Sequence, residues 1–279
     1  MVDYHIHTNH GFDGNCGMEE IIEAAITKGL TEIAFTEHID PDFIAGVPTG
    51  KLKLDIDFDK YLIELNHYRE KYAGKIKLVF GAEISVEPVS KDLTEGLMKK
   101  WPFEFIIGSM HDMNGKDLYY YESYDGKTKI QAFEEYFLNM KATVEQVSGF
   151  HVLGHMDYIE RVQPGRYSPY EDKEIVYEEY AEVIDEVLRA VINKGIGIEC
   201  NTAGGHRFMN PSANDVAHPR FKILKRYREL GGEIITIGSD AHFAESVGRN
   251  FAEARRVLLE AGFKAITVYR DGKPLFIDL

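Results

Sequence analysis

Seven short β-rich runs, each but one closing with histidine or carboxylate side chains, alternate with helical stretches along the 279 residues of this chain. The runs are Val2–His7, Glu32–His38, Lys77–Ile84, Glu104–His111, Phe150–Asp157, Gly195–Thr202 and Ile234–His242. Between them, Met18–Lys28, Phe58–Tyr72, Ile130–Val147, Glu174–Lys194 and Pro219–Leu230 carry apolar residues at helical spacing. Gly29, Gly74, Gly149, Gly195 and Gly231 punctuate helix ends as C-caps. Strand–helix alternation argues for a parallel sheet with helices outside it. Seven or eight units that close on themselves favour a barrel over an open sheet, and α/β barrels of this length form one domain, here residues 1–279. An eighth apolar run, Ala265–Tyr269, is followed by the turn signal Asp271-Gly272.

The position of the ionisable residues carries the chemistry. His5 and His7 close the first run, His38 the second, Glu83 the third, His111 the fourth, His155 and Asp157 the fifth, and Asp240 and His242 the seventh. The sixth ends in Asn201 and Thr202, which are poor metal ligands. Barrel active sites lie at the C-terminal ends of the strands, so these groups converge on one rim. Side chains two apart on a strand share a face, which applies to His5 and His7 and again to Asp240 and His242. Each histidine alone reads as an ordinary hydrogen-bonded residue. Six of the eleven histidines at one rim, with three carboxylates among them, do not, because burying so many ionisable groups together without metal is costly. Imidazole with carboxylate and no thiolate suits zinc, iron or manganese, and the two oxygens of Glu83 suit it to bridge two ions. Of the other histidines, His10 reads as loop or as a partner to a ligand, His67 as surface, His151 as lying at the wrong end of its strand, and His218 as a helix cap. His206, in a Gly-rich loop after the sixth run, is close enough to the rim to touch substrate.

Composition narrows the partners. A net charge of -14 and a pI near 5.3 disfavour nucleic acid and anionic lipid. Phosphate chemistry then needs positive charge supplied locally by metals or arginine. The two cysteines, Cys16 and Cys200, cannot build a disulfide framework and fit a reducing cytoplasm. No apolar run reaches the length of a membrane span, and the N-terminus lacks a signal-peptide pattern, its first residues already resembling ligands.

The ordered set Asp3-Tyr4-His5-Ile6-His7-Thr8, Phe35-Thr36-Glu37-His38, Gly81-Ala82-Glu83, Gly108-Ser109-Met110-His111, Gly154-His155-Met156-Asp157 and Gly238-Ser239-Asp240-Ala241-His242 resembles the PHP (polymerase and histidinol phosphatase) family over nearly the whole chain. The resemblance implies a distorted (β/α)7 TIM-like barrel with two or three divalent ions (Zn, Fe or Mn). By position, His5, His7, Glu83 and Asp240 hold the first ion. Glu83 bridges to a second on His111 and His155, and Asp13, His38 and His242 hold a third. Asp13 stands where some members carry histidine, and its local spacing before Gly14 reads equally as a turn. Tyr158-Ile159-Glu160-Arg161 and Glu199–Gly204, followed by Arg207, are similar to monofunctional histidinol-phosphate phosphatases. That implies Arg161 and Arg207 beside the substrate phosphate, although Gly205–Asn210 departs from the pattern. A surface salt bridge is the other reading of both arginines.

The expected reaction is hydrolysis of a small phosphomonoester, L-histidinol phosphate to L-histidinol and phosphate. Metal-activated water attacks phosphorus in line, with Glu83, Asp240 and His242 as the catalytic set and Asp240 or His242 protonating the leaving alkoxide. Tyr119-Tyr120-Tyr121 and Phe208-Met209 read as substrate lining or as ordinary packing. Three alternatives stay open: another phosphomonoester or a nucleotide, a C–N hydrolase of the amidohydrolase type, and a non-catalytic metal-binding module. No nucleic acid or membrane partner is expected, and the oligomeric state, including a homo-oligomer, is left open.

Overall fold

The structure is a computed structural model, and it describes residues 1–53, 56–118, 124, 126–161, 175–203 and 219–279. Seven parallel strands form one sheet in the order β1 (Val2–Ile6), β2 (Glu32–Ile39), β5 (Lys77–Ser85), β6 (Phe105–Ser109), β9 (Val152–Leu153), β10 (Gly197–Asn201) and β11 (Ile235–Gly238). The edges meet: Ile6 bridges Ala241 in parallel, His7 N–H donates to Ala241 O at 2.9 Å, and Asp240 N–H donates to His5 O at 2.8 Å. The sheet is thus a nearly closed seven-stranded barrel, as the alternation of runs predicts.

Helices α1 (Met18–Thr27), α2 (Phe58–Lys71), α4 (Lys129–Gln146), α5 (Tyr177–Lys194) and α6 (Pro219–Glu229) occupy the segments with helical spacing. Their ends follow local chemistry. Thr128 and Gln131 form a reciprocal capping box at the start of α4, and α5 stops at Gly195, which takes the left-handed conformation at φ 74°. Two helices were not read from the sequence, α3 (Lys91–Met98) and α7 (Phe251–Glu260). The signal for α7 was present, since Phe251, Ala254 and Leu258 recur at helical spacing and are its buried residues. α3 is eight residues long with Gly96 inside it, which blurs any period.

Three antiparallel ribbons decorate the barrel: β3 (Pro41–Ile44) with β4 (Val47–Leu52), β7 (Asp112–Met113) with β8 (Lys116–Asp117), and β12 (Ala265–Arg270) with β13 (Lys273–Asp278). The last resolves the eighth apolar run. It is a hairpin, turned at Asp271 and Gly272 with both φ positive, and not a barrel strand. It closes the end of the barrel opposite the ligands. Tyr269 N–H donates to Tyr4 Oη at 3.1 Å, Tyr4 Oη donates to Glu32, and Arg270 Nη1 donates to the same carboxylate at 2.7 Å. Tyr4 lies edge-on to Phe105 with centroids 4.9 Å apart, in a continuous core that includes Ile6, Phe35, Phe80 and Phe133.

His151 sits at this closed end, as its place at the head of a run implied. Its Nδ1 accepts from Ile106 N–H at 2.9 Å, so the ring is neutral on that side. Burial pushes its pKa down to about 4. The unfolded chain, with an ordinary histidine pKa near 6.5, therefore binds a proton that the folded chain refuses, and stability falls as pH drops from about 6.5 towards 4. The expected loss is about 2 kcal/mol across that window. In His151→Asn, Oδ1 replaces Nδ1 as the acceptor and nothing titrates. Urea unfolding at pH 7 and pH 4.5 should give a smaller acid penalty for the variant than for wild type. Equal penalties would show that the ring is not the titrating group.

Among the described residues, no helix is long and apolar enough to cross a membrane.

Candidate metal centre

Period-two strand geometry explains how so many ligands meet. His5 and His7 point from the end of β1, with ring centroids 5.0 Å apart. Glu83, seventh residue of β5, occupies the middle of the cluster and is 1% exposed. Its two oxygens face different groups. Oε2 lies 3.1 Å from His5 Nε2 and 3.6 Å from His7 Nε2, while Oε1 lies 2.8 Å from His155 Nε2 and 3.2 Å from His111 Nε2. Asp240 Oδ1 completes the first group at 3.3 Å from His7 Nε2 and 3.6 Å from His5 Nε2. Asp13 Oδ2, from the loop after β1, is 2.8 Å from His242 Nε2 and 3.2 Å from His38 Nε2. The nine residues expected to hold metal thus come together, in three groups that meet at Glu83 and His38. His38 faces both ways, its Nδ1 lying 3.1 Å from Glu83 Oε2.

Partners behind the ligands fix their orientation. His5 Nδ1 donates to Glu199 Oε1 at 2.6 Å and His111 Nδ1 to Asp40 Oδ1 at 3.0 Å, which leaves the Nε2 lone pair of each ring aimed at the cluster. His242 Nδ1 donates to the carbonyl of Asp240 at 3.0 Å with the same result. Ser109 Oγ donates to Glu83 Oε1 at 2.6 Å, and Asn201 Nδ2 donates to Asp240 Oδ2 at 3.3 Å. Asp240 itself takes φ 52°, a left-handed backbone rare outside glycine, asparagine and aspartate. Arg249 holds that turn by donating to the carbonyls of Ser239 and Asp240 at 3.0 and 3.3 Å. Glu199 and Asp40 were not recognised as ligand partners from the sequence. The signal was there: Asp40 is two residues beyond His38 on one face, and Glu199 alternates with the outward Ile198 and Cys200.

The cluster's charge balance shows what it is built for. Burial raises the cost of charge on Glu83, yet the imidazoles of His5, His111 and His38 hold its carboxyl well below the usual range. Burial likewise opposes charge on His5 and His111, but neighbouring carboxylates hold both well above the usual imidazole value. Against the same penalty Glu83 and Asp13 carry His38 up to about 9. His7, facing mainly other imidazoles, is pushed down to about 3 by burial and by His38. Positive charge among these carboxylates is therefore strongly favoured. His5 Nε2, His7 Nε2, His38 Nδ1 and Glu83 Oε2 are buried and make no hydrogen bond among the described residues, although they converge on one another. Buried polar atoms rarely go unsatisfied. Three sets of donors lie close enough to share an ion: His5, His7 and Glu83; His38, Glu83 and His111; and His7, Asp13, His38 and His242. The residues fit divalent metal, and nitrogen–oxygen donor sets of this kind suit zinc, iron or manganese.

Arg161 closes a short 3-10 turn, Tyr158–Arg161, but its side chain lies outside the described residues, as do His206, Arg207, Tyr119-Tyr120-Tyr121, Phe208-Met209 and His218. His10 bonds Glu64 at 2.9 Å and stays out of the cluster. Phe12, not singled out from the sequence, is 57% exposed beside Asp13, with its ring 5.4 Å from that of His38. Such an exposed aromatic on the rim is available to a bound molecule.

Comparison with known proteins agrees with this architecture. The PHP domain model matches residues 3–203. A probable histidinol-phosphatase of Clostridium acetobutylicum is 36% identical over 95% of this chain and 96% of its own length. A histidinol-phosphatase of Lactococcus lactis is 30% identical over 98% of this chain and 95% of its own. A crystal structure of histidinol phosphate phosphatase from Lactococcus lactis, complexed with zinc, L-histidinol and phosphate, superposes with a TM-score of 0.85 at 30% identity, covering 98% of both chains. A crystal structure from Listeria monocytogenes, at 20% identity and a TM-score of 0.71, shares the fold over 90% of this chain and 99% of its own. Matched in sequence over most of its length and in structure from end to end, this chain belongs to the PHP domain family.

Proposed function

We propose that this chain is a metal-dependent phosphomonoesterase that hydrolyses L-histidinol phosphate to L-histidinol and inorganic phosphate. The observation that carries the reading is Glu83, whose two oxygens face separate groups of histidines and so suit it to join two ions. The relatives named for this reaction, aligned over nearly the full length of both chains, supply the substrate.

Divalent ions at these positions would polarise the phosphate oxygens and make a water molecule acidic enough to attack phosphorus near neutral pH. The chain's own residues do the rest. His5, His7, Glu83 and Asp240 form the first set of ligands, Glu83, His111 and His155 the second, and Asp13, His38 and His242 the third. Glu199 and Asp40 keep His5 and His111 in the tautomer that faces the centre. Protonation of the leaving alkoxide belongs to Asp240 or His242. The more exposed His242, at 26% against 5% for Asp240, has the readier exchange with solvent. Arg161 and Arg207 place their guanidinium groups on the phosphate, as the family resemblance implies, and His206 contacts substrate from its loop after the sixth run. The substrate is a small molecule, and a cytoplasmic setting suits the two buried cysteines, Cys16 and Cys200, neither of which is in a disulfide.

Phosphate release from L-histidinol phosphate, measured beside a panel of aliphatic phosphomonoesters and nucleotides with protein of known metal content, tests this directly. Strong preference for L-histidinol phosphate, abolished by chelator, is the expected result. Equal rates across the panel would keep a phosphomonoesterase and remove the substrate. Phe12→Ala should raise KM for L-histidinol phosphate about tenfold, the loss of one aromatic stacking contact, and leave glycerol phosphate unchanged. A uniform change for both substrates would remove Phe12 from ring recognition.

A further inference from the structure

β1 and β2 separate before they finish delivering ligands. Their pairing runs Val2↔Glu32 and Asp3↔Ile33, shifts by one residue, and ends at Ile6↔Phe35. Beyond that point side chains of β2 replace the backbone ladder. Ile6 N–H donates to Thr36 Oγ1 at 3.1 Å. Thr8 then donates twice to Glu37 Oε1, from its backbone N–H at 2.9 Å and from its hydroxyl at 2.6 Å. Glu37 is fully buried, next to His38 in sequence and so on the opposite face of β2 from the ligands. Burying a carboxyl away from the ligand face costs free energy, so its partners there carry meaning.

Thr8 is also the root of the loop that bears Asp13. Its hydroxyl oxygen accepts from His10 N–H at 3.2 Å and its carbonyl from Gly11 N–H at 3.0 Å. Asn9 N–H donates to Cys16 O, closing the loop, and Asn15 N–H donates to His242 O, both at 2.9 Å. Gly14 packs so tightly on Thr8 that a Cβ there would lie 2.0 Å from the Thr8 carbonyl oxygen. Asp13 reaches His242 and His38 from this loop and from no strand. Its group is also the open one, with Asp13 28%, His242 26% and His38 12% exposed.

We propose that Glu37 is a positioning residue for the third ion: where β1 leaves β2, its buried carboxyl takes over from the strand ladder and, through Thr8, fixes the loop that presents Asp13. This rests on the three-ion reading given above. Glu37 coordinates nothing itself, and its effect falls first on the third group: Glu83, His111, His155 and Asp240 come from other strands, while His5 and His7, although on and just after β1, are held to β11 by the bonds from Asp240 N–H to His5 O and from His7 N–H to Ala241 O.

The test is metal content and affinity with zinc as the only metal. Wild type, Glu37→Gln, Glu37→Leu and Thr8→Val are equilibrated with buffered Zn2+, analysed by mass spectrometry for zinc per chain, and titrated against a competing chelator. Wild type should hold three ions. Glu37→Leu should hold two, with the third weakened by about tenfold to a hundredfold, as expected for two lost hydrogen bonds. Glu37→Gln keeps an acceptor oxygen and should stay within a few-fold of wild type. Thr8→Val loses one of the two bonds and should fall between. Three ions at wild-type affinity in Glu37→Leu would overturn the proposal, as would equal weakening of all three ions, or a glutamine variant as poor as leucine. If Glu37→Leu does not fold, an unchanged third ion in Thr8→Val overturns it. Fewer than three ions in wild type would instead bring down the three-ion reading, and the proposal with it.

Discussion

Glu83→Gln should lower turnover of L-histidinol phosphate by on the order of 1,000-fold or more and cut bound metal from three ions towards one. The side chain keeps its size, but one oxygen becomes an amide nitrogen that donates and cannot ligate. Oε1 of Glu83 lies within 3.6 Å of two histidine nitrogens and Oε2 within 3.6 Å of three, so whichever is replaced, one group loses its carboxylate. The negative charge shared by both groups is lost as well. The ions supply several kcal/mol of transition-state stabilisation, and each 1.4 kcal/mol is a factor of ten in rate. The Asp13 group has its own carboxylate and should retain its ion. Rate and metal content must be measured on one preparation. A variant that keeps three ions would show that Glu83 does not join the groups, whatever happens to activity.

Removing the metals from wild type has the next largest consequence. A chain that binds ions only when folded is stabilised by about 4 kcal/mol per ion at a thousand times the dissociation constant. For a protein of this size that corresponds to about 10 °C in Tm for each tightly held ion. The ion-free barrel should nevertheless stay folded, because protons stand in for the metals. At neutral pH His5 and His111 are held charged by neighbouring carboxylates, and His38 titrates at about 9. Metal must expel those protons, so affinity rises with pH and falls as solution is acidified from pH 8 to 6. His7, at about 3, has no proton to give. Titrating zinc into chelator-treated protein at pH 7 in weak buffer should release protons. Zinc binding with no acidification would mean that the imidazoles are already neutral in the ion-free state.

Most of the centre was legible in the sequence for one physical reason. A barrel strand exposes its C-terminal end to the site, so a polar residue that terminates an apolar run announces itself. That logic found His5, His7, His38, Glu83, His111, His155, Asp240 and His242 without any relative to compare. It could not find Asp13, because the loop after β1 has no period; the family resemblance supplied that ligand, and the structure puts it 2.8 Å from His242. It did not single out Glu37 either, which is buried on the side of β2 where alternation calls for an apolar residue. Architecture was legible to the same depth. The seven strands and five helices were in place, while the ribbon β3–β4, with Pro48, Thr49 and Gly50 in its second strand, carries no alternation to read. The proposed substrate contacts Arg161, Arg207 and His206 have side chains outside the described residues.

The left-handed backbone at Asp240 restricts which residues evolution can try there. A β-branched side chain or a glutamate would strain the turn that Arg249 clamps, and glycine would fit the turn but offer no oxygen. Only asparagine and aspartate combine tolerance of that conformation with a short oxygen-bearing arm. Selection at this position therefore chooses between a charged and a neutral form of the same shape. The interchange of aspartate and glutamate, so common on protein surfaces, is closed here by the main chain before coordination chemistry is consulted.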